Sequence, residues 1–491
     1  MTSMADTNQR LVVVSNRVGP LSDEGKAGGL AVGLADALRR RGGLWFGWSG
    51  ETSAEGTGSE YRTETHGHTS LTTIDMSVEE LDGFYYGYAN RSLWPLLHYR
   101  LDIASFDRSS ARIYREVNRR FAERLNPLLT PDDLVWVHDY HFFFMGQELR
   151  RCGYDGRLGF FLHIPFCPPD LLSALPGSQD LVRAMLAYDV IGFQTDGDRR
   201  NFVAFCVQEL GAEDIDGDRV RTQDGRIVRA SAFPIGIDAH GFAEFAQSDE
   251  AREHEAMVRD ISHGRHQIVG VDRMDYSKGL PERFRGFEQL LEDEPNQRGN
   301  VQFLQVAPLS RSELEAYAEL RVELEGLAGN INGRFATLDW NPIQIMVNGF
   351  TRRALAGIYR AAQICMVTPL RDGMNLVAKE FIAAQDPADP GVLILSRFAG
   401  AVAELPEALI VNPYSTDEIA HALSRAVAMP LEERRERHEA MRARVFANTA
   451  QQWCESFLAV LDDGHERDLQ PRSWWHRLGF GGPQTRFPSI F

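Results

Sequence analysis

Short, almost wholly apolar runs recur along the chain. Each is followed by a glycine-containing or charged loop and then by apolar residues at helical spacing. Residues 11–14, 134–137, 159–162 and 190–193 form a first series, and 267–271, 301–306, 364–367, 392–395 and 408–411 a second. Such runs predict strands covered on both faces, as in a parallel sheet, because a half-buried strand would alternate. Between them, 31–40 and 280–291 carry helical spacing, the former through Val32, Leu34, Ala35 and Leu38. Two successive series of alternating strands and helices predict an α/β protein of two units. A charged helical stretch, 242–266, separates the series, and a long charged helical tract, 431–462, follows the second. Residues 52–70 read as a surface loop and 330–341 as loop-rich. The tail 464–491 is rich in Pro, Gly, Arg and aromatics, without periodicity or an assignable role.

Length and charge narrow the picture. At 491 residues the chain exceeds one core. A net charge of −17 argues against a general nucleic-acid or anionic-membrane surface, while leaving room for a local cationic cluster that takes small anions. The five cysteines, Cys152, Cys167, Cys206, Cys365 and Cys454, are scattered without a C-x-x-C pair. Neither a disulfide framework nor a zinc site is expected from them, and a reducing compartment is. Residues 1–10 are polar and no run is long enough to span a bilayer, so a cytoplasmic location is the expectation.

The candidate chemistry gathers at strand ends. The strand 364–367 runs through Thr368-Pro369-Leu370-Arg371-Asp372-Gly373-Met374-Asn375 into a helix that bears Glu380. Free N–H groups at a helix start attract anions, and Gly373 lets the backbone approach a ligand. Asp372 and Glu380 could each accept from vicinal hydroxyls, one gripping a sugar and the other a ribose; an N-cap aspartate and a solvated helix glutamate would explain the same residues. Arg273 and Lys278 follow the strand 267–271 and precede a helix, a cationic pair suited to a diphosphate, though a charged surface loop has the same composition. Asp139 and His163 stand just past 134–137 and 159–162, where an open α/β sheet presents its ligand crevice; a satisfied structural role would better explain one such histidine alone, and the two strand ends together shift the balance toward a site. Arg17, just past the first strand, suits a phosphate, though an exposed loop arginine is the more frequent case, and Gly28-Gly29 offers a weaker cradle that tight packing would explain equally. Around Trp45, Phe46, Trp48, Phe84, Tyr85, Tyr86, Tyr88 and Trp94, aromatic faces could stack on sugar rings, with core packing expected to claim at least half.

These segments, in this order, resemble the trehalose-6-phosphate synthase family over about residues 10–462. The resemblance is carried by VVVSNR, AGGLAVGL, GLWFGWSGE, LWPLLHYR, VHDYH, FFLHIPF, GFQT, DYSKGLPERF, TPLRDGMNLVAKE and AAQDP. It implies the GT-B architecture, two Rossmann-like domains facing across a cleft, with a C-terminal helix crossing back to the first. The expected boundaries are 10–240 for the acceptor domain, 241–440 for the nucleotide-sugar domain and 441–463 for the returning helix. The implied reaction is a retaining glucosyl transfer from UDP-glucose to glucose 6-phosphate, with neither cofactor nor metal, giving α,α-trehalose 6-phosphate and UDP.

Carried over position by position, the resemblance gives Arg273 and Lys278 the donor diphosphate and Glu380 the ribose. Asp372, Gly373, Met374, Asn375 and Leu376 take the donor sugar and its loop, joined by Gly29 and His163. Arg17 and Arg311 clamp the acceptor phosphate, with Trp48, Tyr85, Trp94 and Asp139 around its sugar. The family retains configuration by same-face attack, the leaving phosphate oxygen taking the acceptor's proton, so Asp139 is expected to position the acceptor and not to act as a nucleophile. Cys167, Asp272 and Met274 depart from the commoner Pro, Glu and Leu. A homo-oligomer, dimer or tetramer, is expected, without nucleic-acid or membrane partners, and the product should leave still phosphorylated. Two alternatives stand beside this reading: a sibling enzyme using ADP- or GDP-glucose or a cyclitol acceptor, and a sugar-sensing protein without activity. Retention of Arg17, Arg273, Lys278, Arg311, Asp372 and Glu380 favours an active enzyme.

Overall fold

In the computed structural model, which describes residues 9–19, 34–35, 38–39, 41–53, 61–311 and 313–463, the apolar runs assemble into two sheets. The first contains β1 (Leu11–Arg17), β2 (Gly43–Ser53), β3 (Arg62–His66), β4 (Thr69–Ser77), β5 (Leu134–His138), β6 (Arg157–Phe161), β7 (Val190–Phe193), β8 (Glu213–Asp214), β9 (Arg219–Arg221) and β10 (Ile227–Ala232). The second contains β11 (His266–Val271), β12 (Val301–Val306), β13 (Ile343–Met346), β14 (Ile364–Val367), β15 (Val392–Ser396) and β16 (Leu409–Val411). Strand order is β3-β4-β2-β1-β5-β6-β7-β10-β9-β8 in one and β13-β12-β11-β14-β15-β16 in the other. The second sheet is parallel throughout, and the first is antiparallel only at β3–β4, β9–β10 and β8–β9. Chain order reverses at β1/β5 and at β11/β14. At such a point the two following loops leave in opposite directions and open a crevice beyond the strand ends.

Several expectations need correction. Residues 52–70 are not simply a loop: β2 runs on to Ser53, and β3 and β4 pair antiparallel at the sheet edge. The alternating Thr and Glu of 62–66 suit such an exposed edge, where Thr63 and Thr72 hydroxyls meet at 2.9 Å. The helix Glu315–Phe335 takes up the first part of 330–341, because Ile331 is buried and Asn332 Oδ1 accepts from the Ile343 N–H at 2.9 Å. Within 31–40, Leu34, Ala35, Leu38 and Arg39 are helical, and the remainder lies outside the described residues. Of the eight aromatics, Trp45, Phe46, Trp48, Phe84, Tyr88 and Trp94 are buried in the core, and Tyr85 and Tyr86 pack half-buried against it.

The tract 431–462 is two helices, Leu431–Ala447 and Ala450–Asp462. Thr449 and Gln452 form a capping box that starts the second one afresh. The first stays with the second sheet's helices, its His438 ring donating from Nε2 to the Ile382 carbonyl at 3.0 Å. The second crosses to the first sheet, where the Phe457 ring stacks on Trp136 with centroids 4.5 Å apart and an 11° interplanar angle. The returning helix therefore begins at Ala450, later than the expected 441, because the preceding helix ends at Ala447 and Thr449 caps a new one.

The chain passes between the sheets twice, through 233–238 and at Asn448-Thr449, and the crossings meet in a parallel bridge between Ile237 and Thr449. Lys379, wholly buried in the helix Leu376–Ala384, ties them together. Its Nζ donates to the Ile235 carbonyl at 2.7 Å and to Glu404 Oε1 at 2.6 Å, while Asn448 Nδ2 donates to Glu404 Oε2 at 2.9 Å. Phe457 is fully buried on the far side of the second crossing. Phe457→Ala is expected to cost about 3–5 kcal/mol, read as a lower calorimetric melting midpoint; an unchanged midpoint would refute the anchoring role.

Candidate active site

Beyond β11 the chain turns through 272–279 into the helix Leu280–Asp293. The Asp272 carboxylate pairs at 2.8 Å with Arg283, whose side chain is wholly buried. Arg283 also donates to Thr368 Oγ1 and Gln305 Oε1, both at 2.9 Å, so one cation ties together the ends of β11, β12 and β14. Gly279 has φ +63, and a Cβ there would lie 2.3 Å from the Thr368 carbonyl oxygen. The loops after β11 and β14 can therefore touch. Across that contact Lys278 Nζ meets Asp372 Oδ2 at 2.5 Å, and Asn375 Nδ2 donates to the same oxygen at 3.0 Å. Burial pushes the Asp372 carboxyl up, but the Lys278 charge and hydrogen bond outweigh it and hold the group below its ordinary value. Arg273 is exposed, 5.7 Å from the centre of the Trp94 ring, and makes no ion pair among the described residues. Glu380 lies further along the helix, half-buried, with Tyr359 Oη donating to Oε2 at 3.5 Å; burial lifts its carboxyl to about 7 against the pull of Arg352 and Tyr359.

The first sheet presents a different surface. Arg17, at the end of β1, holds its guanidinium 5.8 Å from the Trp48 ring centre. Trp48 Nε1 donates to the Glu51 carbonyl at 2.7 Å, and its ring lies 6.1 Å from that of Tyr85, which stacks on His141 at 5.9 Å. Trp94 is buried under Arg311, whose guanidinium carbon is 4.0 Å from the ring centre. Arg311 comes from the second sheet's half, after β12, yet donates to Tyr140 Oη at 3.0 Å as well as to Tyr317 Oη at 2.7 Å. Asp275 Oδ2 lies 3.5 Å from the same guanidinium. Burial alone would raise the Asp275 carboxyl, but Arg311, Arg273 and Lys278 hold it well below the usual carboxylate range.

Asp139 follows β5 and accepts on Oδ1 from the His163 backbone N–H at 3.2 Å. Burial raises its carboxyl to about 6, with that N–H, the Tyr140 N–H, Arg311 and Arg273 opposing. The His163 ring is held on both sides. Gln194 Oε1 accepts from the Ile235 N–H at 3.0 Å, which turns Gln194 Nε2 as donor toward His163 Nδ1 at 3.3 Å. The His163 proton is then on Nε2, where it donates to His138 Nδ1 at 3.1 Å. Burial depresses the His163 imidazole to about 3, so the ring is neutral. Gly373 brings the two halves into contact here: a Cβ would lie 2.2 Å from the His163 carbonyl oxygen, so only glycine lets the loop after β14 come this close. Of the described non-glycine residues with positive φ, Tyr99, Asp139, Arg311 and Asn375 all border this cleft, and only His263, a helix cap, does not. Strain of this kind, of order 1–3 kcal/mol per residue, concentrates where geometry serves function.

The cleft thus gathers Arg17, Trp48, Tyr85, Trp94, Asp139 and His163 from the first sheet with Arg273, Lys278, Arg311 and the loop Asp372, Gly373, Met374, Asn375, Leu376 from the second. Glu380 stands apart from Asp372, facing Tyr359, and Gly29 lies outside the described residues. Tyr140, Asp275 and Tyr317, which hold Arg311, and His138 and Gln194, which hold His163, were not anticipated. His138, Tyr140 and Gln194 adjoin strand ends and could have been found there; Tyr317 carries no signal in the sequence.

A family model described as glycosyltransferase family 20 matches residues 9–463. The chain belongs to this family. Over 462 residues it is 45% identical to a trehalose-6-phosphate synthase of Sinorhizobium fredii, covering 93% of this chain and 99% of that one. Among solved structures of the family, it resembles an α,α-trehalose-phosphate synthase (UDP-forming) from Burkholderia xenovorans in complex with glucose-6-phosphate. The TM-score is 0.88 at 46% identity, covering 92% of this chain and all of that one (100%). A structure from E. coli bound with UDP-2-fluoro glucose matches with a TM-score of 0.88 at 43% identity, covering 92% and 99%. The two facing sheets with the returning helix are the GT-B fold of these family 20 relatives. Among the described residues, no group of three or more His, Cys, Asp or Glu could hold a metal ion, and no helix is long and apolar enough to cross a membrane.

The raised Glu380 carboxyl has a measurable consequence. A group of this kind contributes stability that is complete below its unfolded value of 4.5 and lost as pH rises through about 7. Ligand-free Glu380→Gln is expected to match the parent in stability near pH 4.5 and to exceed it by roughly 3 kcal/mol at about pH 8. Melting midpoints across that range test this, and a difference that does not vary with pH would refute it.

Proposed function

We propose that this family 20 chain transfers glucose from UDP-glucose to glucose 6-phosphate with retention, forming α,α-trehalose 6-phosphate and UDP. The observation that carries this reading is the exposed Arg273, without an ion pair among the described residues, beside Lys278 at the second sheet's switch point, facing Asp139 and the Arg17–Trp48–Tyr85–Trp94 surface of the first. Relatives with the same fold are described in complex with glucose-6-phosphate and with UDP-2-fluoro glucose.

In this reading the diphosphate lies between Arg273, Lys278 and the first amides of the helix Leu376–Ala384. Glu380 accepts from the ribose hydroxyls. The loop Asp372–Asn375 and His163 enclose the donor glucose. Arg17 and Arg311 take the acceptor phosphate, and Trp48, Tyr85 and Trp94 wall its ring. Asp139, anchored by the His163 N–H, is largely ionised at neutral pH and accepts from an acceptor hydroxyl. As the bond from sugar C1 to phosphate oxygen breaks, charge grows on the departing UDP, and Arg273 and Lys278 stabilise it. The acceptor hydroxyl adds to the same face and passes its proton to the leaving phosphate oxygen. Closure around both ligands excludes water and limits hydrolysis of the donor.

Incubation with glucose 6-phosphate and UDP-, ADP- or GDP-glucose in turn, in the presence of a chelator, is expected to give an α,α-1,1-linked disaccharide phosphate by mass spectrometry and NMR. The absence of product with every donor would overturn the assignment. Arg273→Ala is expected to lower kcat by about 10²–10³ while leaving glucose 6-phosphate binding in place.

A further inference from the structure

Arg371 immediately precedes Asp372, but its guanidinium is engaged elsewhere. Its central carbon lies 3.7 Å from the middle of the Tyr99 ring, in the first sheet's half, and 5.1 Å from that of Phe398 in its own. The loop carrying Arg371 is fixed, since Leu370 N–H donates to the Ser277 carbonyl at 2.8 Å and Asp372 N–H to that of Phe398 at 3.1 Å. Tyr99 is fixed as well. It ends the one-turn helix Trp94–Leu97 in the left-handed region, φ 66, with its N–H donating to the Leu96 carbonyl at 3.0 Å and the next N–H to that of Pro95 at 2.8 Å. Asn201 Nδ2 donates to Tyr99 Oη at 3.3 Å. Glycine would adopt this backbone without strain; a tyrosine here has the ring to offer. Beside it a second cation–ring contact joins the same two halves, Arg100 lying 5.6 Å from the Tyr276 ring centre.

We infer that the stacking of Arg371 on Tyr99 is a latch that couples the two substrate sites. Trp94 begins the short helix that Tyr99 ends, and Asp372 adjoins Arg371, so a ligand that draws the halves together at one site favours this contact and with it the geometry of the other. Neither residue touches the reacting atoms; both are positioning residues. The inference rests on the substrates proposed above. Coupling of this kind is reciprocal: each ligand tightens the other by the same factor.

Isothermal titration of UDP and glucose 6-phosphate, each alone and each with the other saturating, tests it in the full-length protein, Tyr99→Phe, Tyr99→Gly and Arg371→Gln. The parent and Tyr99→Phe, which keeps the ring, are expected to bind each ligand more tightly in the presence of the other. Tyr99→Gly and Arg371→Gln are expected to bind UDP alone as the parent does and to lose roughly threefold or more of the mutual enhancement. Tyr99→Gly removes the ring while easing the backbone, and Arg371→Gln repeats the reading from the opposite half should that variant melt early. Enhancement that survives in Arg371→Gln, or is absent from the parent, overturns the latch. A parent that binds neither ligand overturns the substrate assignment instead.

Discussion

The ammonium of Lys379 is enclosed where the chain twice passes between its sheets, and the cleft depends on that enclosure. Burial lowers the pKa of the ammonium, and the charge and hydrogen bond of Glu404 oppose it. The same carboxylate receives Asn448 from the second crossing, while Lys379 reaches the Ile235 carbonyl of the first. Removing either charge would leave the other buried without a partner, which is costly. Both crossings are pinned together at that place, which is the hinge about which the halves would turn. The strand ends carrying the candidate chemistry then face one another.

Within the cleft, some ion pairs are buried and shape loops, while other cations lie exposed at its mouth. Arg283 and Asp272 are consumed in tying β11 to β14, whereas Arg273 is exposed and makes no ion pair among the described residues. Lys278 and Asp372 are in between, paired at the mouth of the site, where an incoming diphosphate would share the ammonium. A chain of net charge −17 thus gathers cations where an anion would sit. The positive φ values of Asp139, Arg311 and Asn375 fit the same economy, with local strain held by packing around it.

His163 links the hinge to the site. Its ring is oriented through Gln194, which also receives the Ile235 N–H, and the Ile235 carbonyl accepts from Lys379. A continuous set of hydrogen bonds therefore runs from the crossings to the carbonyl against which Gly373 packs. The helix bearing Lys379 also carries Glu380 and begins at the loop of Asp372, so one element serves both hinge and donor side.

Parallel sheets follow from the sequence by itself, because uniformly apolar runs of strand length need cover on both faces. The placing of Asp139, His163, Arg273, Lys278 and Asp372 just past those runs made their convergence at strand ends legible too, since ligands of open α/β sheets bind there. What the sequence left open depends on residues far apart along it. Arg311 reads as an isolated loop cation, and only folding brings Tyr140, Tyr317 and Asp275 to it. Residues 52–70 looked like a loop because an exposed edge strand needs no apolar face, and the helical tract 431–462 concealed the break at Asn448 because its capping box is made of ordinary polar residues. The protonation of His163 and the raised carboxyl of Glu380 were likewise settled by burial and by partners from other elements, which no local pattern encodes.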